Sequence, residues 1–137
     1  MSDAAGIRAQ MSQAEAQISN CEICIADLQE KIAKLKEVKP KVAGIKEDIR
    51  EINRQLYEKI WEQERWLGNN RNKYNEGIME NLVMPHQNYY KAVDDILDSI
   101  NDAITRMENE IYEQQGVLGT LRSWWNSLCN ELSNCFN

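Results

Sequence analysis

Residues 93–132 read VDDILDSINDAITRMENEIYEQQGVLGTLRSWWNSLCNEL. From Val93 through Leu97, Ile100, Ile104 and Met107 to Trp125, Leu128 and Leu132, the positions of one side follow at steps of four and three in strict alternation. Only an α-helix returns residues at that spacing to one side, and so narrow a stripe is the seam of a helix that packs along another helix. Upstream, Ile78, Leu82 and Tyr89 prolong the same side, with Pro85 expected to bend the start of the helix.

The first half of the chain offers the partner helix. Ile18, Cys21, Ile25, Leu28, Ile32 and Leu35 form an equivalent seam, and Val38, Val42, Ile45, Ile49, Ile52, Leu56 and Ile60 form a second run. Joining the runs through Leu35, Val38 and Val42 inserts a three-residue step, which overwinds a coiled coil locally. Pro40 falls at this irregularity and pushes Lys39 away from helical dihedrals. Two structures follow: one long helix kinked near Pro40, or a reversal at Lys39–Gly44 that gives a three-helix bundle. The seam resumes within a turn of the proline, which favours the kinked helix.

Between the halves, Trp66-Leu67-Gly68-Asn69-Asn70 supplies residues that tolerate positive φ and bond locally to the backbone, as a turn requires. The expected fold is all-α, an elongated antiparallel helical hairpin resembling a coiled coil. It forms a single domain, with arm one at about 11–66, the turn at about 67–71 and arm two at about 72–134. An arm of about 55 residues measures about 80 Å. Folding the chain about Asn69 sets Lys31, Lys34, Lys36, Lys39 and Lys41 beside Asp98 and Asp102, with Asp94 and Asp95 just beyond, a pairing that disfavours wrong registers.

Composition narrows the function. Six Gly and two Pro in 137 residues are too few for a turn-rich sheet, and the glycine loops and Val/Ile strands of an α/β enzyme are missing. A net charge of −6 disfavours nonspecific attraction to nucleic acid. A single histidine, His86, cannot build a histidine metal cluster and argues against a histidine-dependent triad. Helices that each bury one stripe offer no polar pocket, so an enzyme is not expected, nor a cofactor. Met1–Gln13 lacks the apolar core of a secretory signal, and no window approaches about 18 apolar residues. A reduced cytoplasmic start is expected, with export by a route independent of classical signals left open.

A hairpin of two helices with Trp66-x-Gly68 at its bend resembles the WXG superfamily of small helical proteins exported by type VII secretion systems. The longer first arm, with Tyr74 and Tyr89-Tyr90 downstream, makes the chain more similar to the YwqH-like family. That family comprises short all-helical proteins associated with LXG-domain toxins of Gram-positive bacteria. The resemblance implies a targeting or chaperone-like partner of the helical N-terminal region of an LXG toxin, or of another small WXG-like protein, secreted or surface-located through that system. It also implies an export signal in Tyr90-Lys91-Ala92-Val93-Asp94, which carries the Tyr-x-x-x-Asp spacing and places Tyr90 and Asp94 on one exposed flank. A solvated helix face with that spacing by chance is the plainer reading.

Other residues have two readings each. Trp66 and Gly68 serve as an anchor and a left-handed helix end, or simply as an ordinary turn. Cys21 and Cys24 have the gap of a zinc knuckle that Cys129 and Cys135 could complete, but the hairpin register pairs Cys21 with about residue 117, about 18 Å short of Cys129. Reduced, partly buried thiols are favoured, with disulfides after export left open. Val117–Phe136 is amphipathic but holds one basic residue, Arg122, so a protein interface fits it better than a membrane surface. Trp124 and Trp125 point about 100° apart, so one of them is expected to anchor another chain. A second pair of helices is expected to cover the remaining apolar face, as in a four-helix assembly; a homo-oligomeric coiled coil without a toxin partner is the alternative.

Overall fold

The computed structural model describes residues 3–62, 76, 77, 81 and 83–136. Two helices dominate: α1 runs Ala4–Glu62 and α2 runs Met84–Cys135. They pack against each other as a helical hairpin. Asp3 caps α1, its carboxylate accepting a hydrogen bond from the Gly6 amide at 2.6 Å while its carbonyl takes the Ile7 amide at 3.1 Å. The carboxylate serves an amide that a helix start leaves without an intrahelical partner, and the carbonyl accepts the first i→i−4 bond of the helix. At the other end, the Phe136 amide reaches the Ser133 carbonyl at 3.2 Å and tightens the final turn of α2.

Both prolines are accommodated. α1 passes through Pro40 as one helix, so the reversal at Lys39–Gly44 does not form and the three-helix bundle is not adopted. Pro85 takes the first turn of α2, where a missing N–H costs no intrahelical bond. Before it, Glu76 and Gly77 are helical, and Asn81 and Val83 have the wider π-helical hydrogen bonding. The turn at 67–71, with Trp66, Gly68, Tyr74, Ile78 and Leu82, lies outside the described residues.

The chain packs as two compact units. One holds Met1–Lys34 with Ile104–Asn137, the other Leu35–Ala103. In the first, Ile7, Ala14 and Leu128 form one core cluster, against which Met11, Trp124, Trp125 and Leu132 pack. Cys21, Leu118 and Leu121 form another, joined by Ile18, Ile25 and Trp124. The order is antiparallel: early α1 meets late α2. Burying a side chain such as Ile7 or Leu128 contributes about 1.5–3 kcal/mol. Arg122 Nη2 pairs with Glu22 at 3.2 Å, and the Arg8 guanidinium lies 5.7 Å from the centre of the Phe136 ring.

In the second unit Ile49, Val83, Val93 and Ile100 are buried. Lys46 pairs with Asp94 and Gln87 Nε2 donates to the Tyr57 hydroxyl, again in antiparallel order. Here the seam departs from the expected one. Along α1, every seventh residue from Ile7 (Ala14, Cys21, Leu28, Leu35, Val42, Ile49 and Leu56) is buried or half-buried. As far as Ile32 the column beside it is apolar and covered as well: Met11, Ile18, Ile25, Ile32. Its continuation is Lys39, Lys46 and Asn53, while the apolar residues cross to the opposite side of the main column. Val38, Ile45 and Ile52 are therefore 43%, 46% and 42% exposed rather than part of the core. No three-residue shift is needed, because α1 keeps the same column buried and covers the polar companion with the Lys46–Asp94 pair. On α2, likewise, half-buried His86 and Tyr90 continue the seam toward Val83, leaving Tyr89 58% exposed.

Candidate functional site

Two places on the hairpin gather residues with chemistry. The first is built on Lys46. Its ammonium lies 2.5 Å from Asp94 Oδ1 and 5.3 Å from the centre of the Tyr90 ring, so a residue of α1 is clasped by two residues four apart on one face of α2. A cation over an aromatic face is attracted by the ring quadrupole, and the carboxylate neutralises it. The hydrogen bond to Asp94 holds the Lys46 ammonium above the ordinary lysine range; partial desolvation opposes this, and the charges of Asp94 and Tyr90 add to it.

Tyr90 and Asp94 are accordingly not on a free flank. Both are half-buried, and both are turned to Lys46. The arrangement is an ion pair roofed by a ring, able to fix register. Of the five lysines expected beside Asp98 and Asp102, Lys31 and Lys34 pair along α1 with Asp27 and Glu30, at 3.1 and 3.2 Å. Lys46, one turn or more beyond that cluster, pairs across to α2.

The second place is the α2 end of the first unit. Trp124 packs against both core clusters and Trp125 against one, and each keeps part of its surface open. Neither indole is a bare anchor; both are pinned by the core. Val117, seven residues before Trp124 and on the same side of α2, is 47% exposed. Cys21 is buried against Leu118 and Leu121, Cys24 and Cys129 are half-buried and Cys135 is exposed, with no disulfide joining them. Among the described residues no group of three or more His, Cys, Asp or Glu converges as a metal site, and no helix is long and apolar enough to cross a membrane.

The early α1 seam of Ile7, Met11 and Ala14 and the uncovered column Val38, Ile45 and Ile52 are the features missed from sequence. The first was signalled by steps of four and three leading into Ile18. The second was signalled by the polar residues Lys39, Lys46 and Asn53 standing in its place beside the main column.

Two long helices packed antiparallel, with apolar columns beyond the one they share, define a small all-α helical hairpin. The sequence profile of the YwqH-like family matches residues 9–130, and the chain belongs to that family. No curated protein and no solved structure matches it.

Proposed function

We propose that this protein is a non-catalytic binding partner that engages the helical N-terminal region of an LXG-type toxin and supports its passage through a type VII secretion system. The observation that carries the reading is the half-open Trp124 on α2 with exposed Val117 one heptad before it. Such a column is what an added helix covers, and a partly open Trp held rigid by its own core makes a low-entropy anchor. The choice of an LXG partner rests on the resemblance set out above, and membership of the YwqH-like family is in keeping with it. Tyr90 and Asp94 act in this reading through the Lys46 clasp, which holds the hairpin in register for its partner.

Co-expression with the N-terminal helical region of an LXG protein encoded beside it tests the proposal. The wild-type chain is expected to co-purify with that region. Val117→Glu, a surface change that leaves the core clusters intact, is expected to abolish capture while helicity is retained. Absence of co-purification with the wild-type chain, or capture indifferent to Val117→Glu, contradicts it.

A further inference from the structure

The unit formed by Leu35–Ala103 leaves apolar side chains on one particular face. On α1, Lys46 and Tyr57 lie to one side of the Val42–Ile49–Leu56 column, and Val38, Ile45 and Ile52 lie to the other. On α2, Gln87 and Asp94 lie to one side of Val93 and Ile100, and Tyr89 and Ile96 lie to the other. Lys46 pairs with Asp94 and Tyr57 with Gln87, so those two sides meet along one edge of the helix pair. The five apolar residues, 42–58% exposed, therefore share the opposite face. The same two pairs fix the level: Ile45 stands beside Ile96.

We propose that this face binds the same face of a second copy of the chain, antiparallel about a two-fold axis that passes by Ile45 and Ile96. The pattern is palindromic about those residues. Val38 and Ile52 lie seven residues to either side of Ile45, so reversal sets each against the other in the second copy. Tyr89 and Ala103 lie seven residues to either side of Ile96, so a large ring is set over a small side chain, twice.

Charge complementarity selects this occupant over an unrelated helix. The outer rim of the α1 stripe carries Lys41 on one side of Ile45 and Asp48 on the other. Antiparallel self-pairing puts Lys41 of each copy against Asp48 of the other, two reciprocal ion pairs from one rim. Parallel pairing about a two-fold would set this rim against the opposite rim of the other copy, so Lys41 and Asp48 would not meet. The outer rim of α2, with Ala92 and Ser99, is small and uncharged and lets the second layer approach closely. The product is a four-helix arrangement in which each unit supplies one layer.

Sedimentation equilibrium on the full chain tests this, with an expected mass of twice 15.9 kDa. Ile45→Glu is expected to keep helicity while raising the dissociation constant at least ~10-fold. Lys41→Asp and Asp48→Lys are each expected to weaken the dimer. The double variant, or the two single variants mixed, should restore it, since both combinations rebuild opposite charges across the axis. A wild-type monomer at every concentration overturns the proposal, as does a dimer indifferent to Ile45→Glu or charge reversals that the double variant does not rescue. The surface is separate from the Val117–Trp124 column, so loss of self-association and loss of toxin capture are read by different variants.

Discussion

Lys46 is the residue on which the register of the second unit turns. Its pair with Asp94 and its place over Tyr90 tie α1 to α2 where the column beside the buried apolar one is polar. Because the folded ammonium titrates above the unfolded value, its contribution to stability is fully present below the ordinary lysine pKa of 10.5 and is lost as pH rises through the folded value. Thermal melts of wild type and Lys46→Met should therefore differ by a constant margin at neutral pH, wild type being higher, and converge on the alkaline side of that value. One heptad on, Asn53 buries its Oδ1 without a hydrogen-bond partner. A buried polar atom left unpaired costs about 1–3 kcal/mol, so Asn53→Leu should raise the melting temperature, a gain readable by calorimetry. A polar residue at such a position commonly gives up stability to fix register.

At the scale of the helix, the seven-residue column of α1 decides which residues meet α2. The strict alternation from Val93 to Leu132 made α2 legible, since just one of its sides is continuously apolar. The first arm was legible as a helix but not in its facing. Beyond Leu35 two apolar columns, Val42–Ile49–Leu56 and Val38–Ile45–Ile52, run side by side at steps of three and four, and periodicity treats both as seam. What separates them is the tertiary pair Lys46–Asp94, which the spacing along one helix does not contain. The placement of Tyr90 on an exposed flank failed for a related reason: Tyr89 and Tyr90 are adjacent and chemically alike, and the seam takes the second. Helix propensity leaves further room for improvement. Gly116 and Gly119 sit within α2 with open space where a Cβ would stand. Gly116→Ala and Gly119→Ala should each stabilise the chain by about 0.5–1 kcal/mol, measured by urea denaturation. Loss of stability at either position would mean that the local backbone departs from the helix described.

At the scale of the whole chain, two antiparallel helices bury one column each and leave apolar columns on their flanks, which is the physical basis of the binding role proposed above. The hairpin itself followed from the sequence because two long seams of similar extent flank one cluster of turn residues. The anchor expected at Trp66 and Gly68 lies outside the described residues, so the weight of the candidate site rests on Trp124 and on Lys46 with Tyr90 and Asp94. Antiparallel pairing in this register underlies both of the surfaces proposed above, the one for a toxin and the one for a second copy. Zero-length carbodiimide cross-linking of dilute protein, mapped by mass spectrometry, tests it most directly. A link between Lys46 and Asp94 within one chain is the predicted result; links confined to Lys39 or Lys41 with Glu62 or Glu64, as a reversal near Pro40 would give, would contradict it.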